Sequence, residues 1–578
     1  MSEKIKITFV TENRINDANN RLNETSEAEA GINSLKEASV SHNTSVLHNA
    51  RYDIMSTMLK EGIVSENFCG GRGLCKRCRI QFMGSAPIPT AVERNAFSPE
   101  ELRQGYRLAC MAKPRNDCVV RLDFVESRKI DIVTEAVDIK TEENLYERTN
   151  LSCASGDSES ESTVLGDIRP ESAVVENIGP EDAVLGNIES RYVDLDSQQM
   201  GIIAVDLGTT TIAMQLLEIE TGKIIDTYCA MNPQRSYGAD VLSRIQAANT
   251  GHAKIMQESV WNVIRDGINR FINKAHESHL TICCMCIAGN TTMEHLLMGL
   301  STLNLGQSPF TPVELGVQKC VITEHELPVY ITPGISTFVG GDIAAGLYHC
   351  KLLDTSSSKR QSTDSQKSAT LFIDLGTNGE MAIVSEDRII VTATAAGPAF
   401  EGGASAAVPG SDMIKIAASL LDKGIIDETG LMIEPYFSEG INIDVSHSAA
   451  SDIIHLTQSD IRALQMAKAA IRAGIDILCS KIENCRISKV YLAGGFGYYL
   501  DVNSAIAIGL LPENLRDCTQ AAGNTSLAGA FDMGKDLWSG RLTEDKLSGR
   551  LSRIESINLA QEEGFDRLYL SYVDFPKK

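Results

Sequence analysis

No stretch of this sequence approaches the ~20 consecutive apolar residues that a membrane span needs, so no membrane helix is expected. Positive net charge is also missing. Lys and Arg number 53 against 76 Asp and Glu, a formal balance of −23. A surface this acidic repels phosphate backbones, which argues against nucleic acid as a partner. The opening residues, MSEKIKITFV, run straight into an alternating strand pattern and lack the order of a signal peptide, so a cytoplasmic location is expected. The fingerprints of P-loop and dinucleotide-binding proteins are absent too. With 15 cysteines, an odd number, and a reducing compartment expected, a disulfide framework is excluded.

What is present divides by composition. At 578 residues the chain exceeds a single hydrophobic core, so several domains are expected. Residues 1–126 hold short strand patterns (EKIKITFV, SVLH, RIQF, CVVRLDFV), a helix around Asp53–Lys60, and a polar insertion at 11–44. Residues 127–199 form an acidic linker. The 141–200 stretch alone carries 14 Asp and Glu against 3 Lys and Arg. Its near-repeats ESTVLGDIRP, ESAVVENIGP and EDAVLGNIES are too short for solenoid units and read as a flexible tether. From residue 200 onward, buried-strand runs (GIIAVD, LFIDLG, KVYLAGG) alternate with amphipathic helices, the pattern of an α/β domain. A polar run at 355–368 divides it into lobes 200–354 and 369–578, the second including a C-terminal extension. One helix is clear within it: Ser459 or Asp460 is placed to cap, and Leu464, Ala467, Ile471, Ile475 and Leu478 line one face.

Cysteine is informative where it clusters. Cys69, Cys75 and Cys78 stand in the spacing C-x5-C-x2-C, and Cys110 follows in YRLACMA. Four thiolates, three from a tight loop and one from a remote strand, are what a [2Fe–2S] centre requires. Gly70, Gly71 and Gly73 let backbone N–H groups approach the inorganic sulfides. A zinc site would call for a second C-x2-C pair or histidines, which this loop lacks. Arg72, Lys76, Arg77 and Arg79 make the loop locally positive, which would raise a cluster's potential. The loop resembles the vertebrate-type and bacterial [2Fe–2S] ferredoxins, a resemblance that implies a β-grasp fold. Cys283, Cys284 and Cys286 lie in TICCMCIAG, whose strand pattern sends adjacent side chains to opposite faces and makes them core residues.

A second constellation points to nucleotide. Asp-Leu-Gly-Thr occurs twice, at 206–209 and 374–377, each time after a buried strand and ahead of a second one. Asp206 and Asp374 are placed to hold Mg²⁺ or its waters. Gly208, Thr209 and Thr210 in the first turn, and Gly376, Thr377 and Asn378 in the second, offer close backbone approach and hydroxyls to phosphate oxygens. Gly494 and Gly495 end a third strand, where a nucleoside can lie flat against backbone. Gly289 with Asn290, and Gly340 and Gly341 with Asp342, read as connecting loops between lobes, with ordinary turn glycines an equal reading. His295, inside a helical pattern, reads as a packed histidine. The three strand-turn motifs resemble those of the superfamily of sugar kinases, Hsp70 and actin, in which two ribonuclease-H-like halves close on ATP.

Taken together, CGGRGLCKRC, VDLGTTTIA, NPQRSYGADVLSRI, FVGGDIAAG, IDLGTNGEM, AAGPAFEGG, TQSDIRALQMAKAAIRAGI and YLAGGFG, in that order, resemble the ATP-dependent reductive activators of corrinoid proteins. The resemblance implies a fold of class α/β plus α+β: an N-terminal β-grasp [2Fe–2S] ferredoxin module, a flexible acidic linker, and a two-lobed ribonuclease-H-like ATPase domain. It implies the cofactors [2Fe–2S], ATP and Mg²⁺, a corrinoid protein of a methyltransferase system as partner, and a low-potential donor such as ferredoxin or flavodoxin. The activity implied is reduction of Co(II) cobalamin to Co(I). A redox-sensing small-molecule kinase, or a ferredoxin-type electron carrier or scaffold, remains open as an alternative.

Overall fold

The computed structural model describes residues 4–10, 44–49, 53–60, 78–122, 183–184, 199–354, 367–376, 378–394, 410–445, 452–497 and 500–577. Cys69, Cys75, Arg72, Lys76, Arg77, Thr377, the AAGPAFEGG segment and most of the polar insertions and acidic linker lie outside them. The chain divides into two units: Met1–Asp131 with Met231–Val263, and Ile132–Ala230 with Ile264–Lys578.

In the first unit, alternation builds a mixed sheet. Strand β1 (Lys4–Val10) buries Ile5, Ile7 and Phe9 and exposes Lys6. It pairs antiparallel with β2 (Thr44–Asn49) and parallel with β5 (Cys118–Leu122). Strand β3 (Arg79–Phe82) runs antiparallel to both β5 and β4 (Tyr106–Leu108), giving the order β2-β1-β5-β3-β4. Helix Ile54–Lys60 buries Ile54, Met55 and Met58 completely. Its first two N–H groups, which no helix can satisfy internally, donate to the carbonyls of Ala112 and Ala109.

The 231–263 segment of this unit carries a short helix, Val241–Ala247, capped by Asp240. Arg244 is wholly buried and donates from Nε to the Gly238 carbonyl at 3.0 Å. The His252 ring lies 4.7 Å from that of Tyr237, and its Nε2 is 3.6 Å from Asp53 Oδ2. Hydrogen bonding to Asp53 raises the His252 pKa, burial working against it. A histidine whose folded pKa is raised stabilises fully below its unfolded value, and the gain is lost as pH rises through the folded value. The thermal midpoint of wild type should therefore exceed that of His252→Gln at pH 6, and the gap should close by pH 8.5. A gap that is constant across this range would contradict the ion pair.

The second unit repeats one sheet plan twice. Strands β7 (Gln199–Leu207), β8 (Thr211–Glu218) and β9 (Ile224–Met231) follow one another, and β10 (Leu280–Gly289) then returns parallel to β7. With β6 (Ala183–Val184), β11 (Gln318–Ile322) and β12 (Leu327–Ile331) the order is β6-β11-β12-β10-β7-β8-β9. The later sheet begins with β13 (Lys367–Leu375), β14 (Gly379–Ser385) and β15 (Ile389–Thr394), all antiparallel neighbours. A separate hairpin, β16 (Ile441–Val445) and β17 (Asp452–Leu456), comes next. Strand β18 (Cys485–Ala493) then runs parallel to β13, and β19 (Thr519–Gly523) parallel to β18. Adding β20 (Ile554–Ser556) gives β19-β18-β13-β14-β15-β20. In β10, Cys284 and Cys286 are wholly buried, as core residues should be.

Two helices lie between these sheets. Ile343, Ala344 and Leu347 of helix Gly341–His349, and Leu527, Ala530 and Phe531 of helix Thr525–Trp538, share one core. Ile202, Ala204 and Cys286 of the first sheet and Phe372 and Tyr491 of the second complete it. The helices approach so closely that a Cβ on Gly529 would overlap the carbonyl oxygen of Ala345. Backbone cannot yield as a side-chain tip can, so Gly529→Ala is expected to lower the thermal midpoint by roughly 2–6 °C, in line with overpacking costs of about 1–3 kcal/mol. A midpoint equal to wild type would refute this packing.

Helix Gln458–Ser480 covers the far face of the second sheet, burying Leu464, Ala467, Ile471, Ile475 and Leu478 against Ile373, Met381 and Ile383. Its cap is Thr457, one turn earlier than Ser459 or Asp460. Asp460 sits at the third helical position and receives the Thr457 N–H and hydroxyl, a capping box. No described helix is long and apolar enough to cross a membrane.

Candidate functional site

The register of the two large sheets brings the sequence motifs together. Asp206 ends β7 beside Ala288 of β10, and Asp374 ends β13 beside Ala493 of β18. Ligands in open α/β sheets bind beyond the carboxyl ends of such strands. Asp206, Asp342 and Asp374 are half-buried, while Glu294 and Glu380 are buried behind them.

The charges in this cleft are crowded. Burial, then the charges of Asp342 and Asp206, pushes the Asp374 carboxyl up to about 8. Burial, with Asp206 adding to it, pushes Asp342 up to about 7. Glu380 is raised by burial and by Asp342 and Asp374, and Glu294 by burial and Asp342. Burial also raises Asp206, but hydrogen bonds from Asn524 and Ser526 oppose it. Each shift means that a counter-cation is worth more here than on an open surface.

Glycines shape the floor of the cleft. A Cβ on Gly208 would stand 2.8 Å from the Thr211 carbonyl oxygen, so the first turn admits no side chain. Thr209 is buried, and its hydroxyl accepts from Asn290 Nδ2 at 3.0 Å; Thr210 is half-buried beside it. A Cβ on Gly340 would overlap the Asn290 backbone, and one on Gly341 would overlap Thr332 and Glu294. Those glycines therefore press Asp342 and its helix onto the loop that follows β10. In the second turn, Gly376 N donates to the Asn378 carbonyl at 3.0 Å. Gly494 has φ +84°, and a Cβ there would overlap the Asp374 carboxylate. Gly495 continues the short helix Gly494–Gly497. His295 is a packed histidine: its Nδ1 lies 2.7 Å from the Thr291 carbonyl, and its Nε2 accepts from Val313 N.

In the first unit, antiparallel pairing of β3 and β4 sets Cys78, just before β3, against the turn after β4 that holds Cys110. Ala109 N donates to the Cys78 carbonyl at 2.8 Å, and the two Sγ atoms lie 3.3 Å apart, both buried. That is well beyond a disulfide bond of about 2.05 Å. Two thiolates on one tetrahedral metal at roughly 2.3 Å would lie roughly 3.8 Å apart, so the pair needs only a small adjustment to serve one ion. Arg79 departs from expectation as a source of positive charge for the loop. Its guanidinium pairs with Glu101 at 2.7 Å and stacks 4.0 Å from the Tyr106 ring centroid. Asn524, Ser526, Glu294 and Glu380 are the cleft residues that sequence reasoning did not single out. Glu380 follows the second turn directly, and that proximity was the available signal.

Comparison with known proteins agrees with this architecture. Residues 201–355 match the RACo middle region, and residues 368–407 and 405–578 match the C-terminal domain of RACo, the ASKHA domain, together more than half of the chain. The corrinoid activation enzyme RamQ of Eubacterium limosum is 30% identical over 391 residues, 57% of this chain and 63% of RamQ. The chain thus spans somewhat less than two thirds of RamQ's length. The [Co(II) methylated amine-specific corrinoid protein] reductase of Methanosarcina barkeri is 25% identical over 431 residues, 64% of this chain and 76% of that protein. A shorter match, 33% over 70 residues, is to one component of the Na(+)-translocating NADH-quinone reductase of Chlamydia trachomatis, covering 12% of this chain and 16% of that one. A solved reductive activator for corrinoid, iron-sulfur protein shares the fold, with a TM-score of 0.56 and 23% identity over 99% of this chain and 98% of that one. The chain belongs to the RACo family.

Proposed function

We propose that this chain is an ATP-dependent reductive activator of a corrinoid protein. It delivers electrons from a low-potential donor such as a ferredoxin or flavodoxin to Co(II) cobalamin on a methyltransferase-system partner, yielding Co(I). The observation that carries the reading is the cluster of mutually repelling carboxylates, Asp206, Asp342 and Asp374, two of which end matching strands of two like sheets. RamQ and the Methanosarcina barkeri reductase, named for corrinoid activation and Co(II) reduction, support the choice of substrate.

Within that reading, Asp206, Asp342 and Asp374 hold Mg²⁺ or its waters. Among the described residues no three His, Cys, Asp or Glu side chains already converge on one ion position. Mg²⁺ takes one or two carboxylates directly and fills its remaining sites with water and substrate phosphates, so the rest of the three aspartates act through its waters. Gly208, Thr209, Thr210, Gly376, Thr377 and Asn378 serve the phosphates, Gly340 and Gly341 shape the inter-lobe loop, and Gly494 and Gly495 receive the nucleoside.

Cys69, Cys75, Cys78 and Cys110 hold a [2Fe–2S] cluster, which when bound supplies one-electron carriage. The close approach of Cys78 and Cys110 supports this, as does a sheet order that suits a β-grasp ferredoxin module. The acidic segment 127–199 leads from that module to the ATPase lobes 200–354 and 369–578, and it is not all linker as expected, because Ala183–Val184 pair as β6 with β11 in the first lobe's sheet. The reading is tested by ATP hydrolysis with and without a Co(II)-loaded corrinoid protein. Stimulation by the Co(II) form is expected, and its absence with an iron-replete preparation would count against the reading.

A further inference from the structure

One five-residue pattern occurs twice in the second unit: Ala-Gly-Asn-Thr-Thr at 288–292 and Ala-Gly-Asn-Thr-Ser at 522–526. Each ends a strand, β10 or β19, and opens a helix, Thr291–Met298 or Thr525–Trp538. In each, the asparagine is the N-cap. Asn290 Oδ1 accepts from Met293 N at 3.0 Å, and Asn524 Oδ1 accepts from Leu527 N at 2.9 Å. Only the amide oxygen can accept a backbone N–H, so the cap fixes which way each amide faces. The two NH₂ groups then turn toward the same Asp-Leu-Gly-Thr loop. Asn290 Nδ2 donates to Thr209 Oγ1, and Asn524 Nδ2 donates to Asp206 Oδ2 at 2.8 Å. Ser526 Oγ, in the first turn of the second helix, donates to Asp206 Oδ1 at 2.9 Å.

Asp206 therefore has both carboxylate oxygens held by residues that arrive from the other sheet. Asn524 follows β19 of the second sheet, yet its helix packs in the core that borders β7 and β10. Asn524 and Ser526 are themselves buried, so these bonds form out of bulk water and carry more weight than surface ones.

We propose that Asn524, assisted by Ser526, is a positioning residue for the ATP reaction: its capped amide aims the Asp206 carboxylate across the seam between the two sheets. The proposal rests on the functional reading above. It deepens that reading by naming a residue that touches neither phosphate nor metal, and whose donated hydrogen bond sets how the Mg²⁺-facing carboxylate is presented.

The substitution that separates this role from helix capping is Asn524→Asp. Aspartate caps as well as asparagine but has no N–H to donate, and it sets a second carboxylate against Asp206. Measured on the full-length chain as kcat and KM for Mg·ATP hydrolysis, kcat/KM should fall roughly 10- to 100-fold, the equivalent of one hydrogen bond to a charged group. Asn524→Ser keeps a capping oxygen without adding charge and serves if the aspartate variant is unstable. It should lose about tenfold, with its thermal midpoint close to wild type. Asn524→Gln, which cannot keep both the cap and the aim, should not restore the rate. If wild type hydrolyses ATP and both the aspartate and serine variants match it, the positioning role is overturned while the functional reading stands. If wild type neither binds nor hydrolyses Mg·ATP, both are overturned.

Discussion

Cys110→Ala is expected to abolish delivery of electrons to Co(II) while leaving ATP hydrolysis within about twofold of wild type. Cys110 is buried, and its sulfur lies 3.3 Å from that of Cys78, so alanine would remove one of the four thiolates proposed to hold the cluster. A two-iron centre needs all four. Iron content should drop with the electron transfer, and the two losses should track one another across preparations. The residues proposed to bind Mg·ATP belong to the other unit, so hydrolysis has no reason to follow. Full iron content and full Co(I) yield in Cys110→Ala would remove that cysteine from the centre.

Asp374→Asn is expected to do the opposite: keep the iron and lose ATP hydrolysis by at least about 100-fold, the scale seen when a group facing developing charge is removed. The change should also raise the thermal midpoint of the nucleotide-free protein. Burial, Asp342 and Asp206 all push the Asp374 carboxyl up to about 8, so at neutral pH folding forces a proton onto it, a cost that asparagine does not bear. A functional site that trades stability for chemistry behaves in this way. Differential scanning calorimetry and a phosphate-release assay on one preparation check both parts. A midpoint that falls together with activity would point to a structural role for Asp374.

How much of this was legible beforehand depends on whether the constraint was local. The two Asp-Leu-Gly-Thr turns could be read because a close backbone turn after a buried strand leaves its mark in adjacent residues. Of the four spaced cysteines, Cys78 and Cys110 are the two among the described residues. The meeting of Cys78 and Cys110 then follows from pairing two short strands, Arg79–Phe82 and Tyr106–Leu108. Contacts that join distant stretches left no such mark. Asn524 lies 318 residues from Asp206, and nothing near either residue announces the pair. The repeated Ala-Gly-Asn-Thr pattern was the one available hint, and it looks like ordinary helix capping until the amide is seen to face the turn. The pairing of Asp53 with His252 was hidden in the same way. Arg79 was misread because its charge was counted without its partners, Glu101 and Tyr106, which become neighbours only when the strands pair. The Thr457 cap was missed by two or three residues because Asp460, itself a good capping residue, answers Thr457 from inside the first turn.

The central claim is that one polypeptide couples nucleotide use to reduction of a partner's cobalt. The most direct measurement is the visible spectrum of a Co(II)-loaded corrinoid protein mixed anaerobically with the full-length chain and a low-potential reductant, followed with and without Mg·ATP. The account predicts that the Co(I) signal develops with ATP and stays near baseline without it. Co(I) formed equally in both arms, or in neither while the chain carries its full iron, would contradict it.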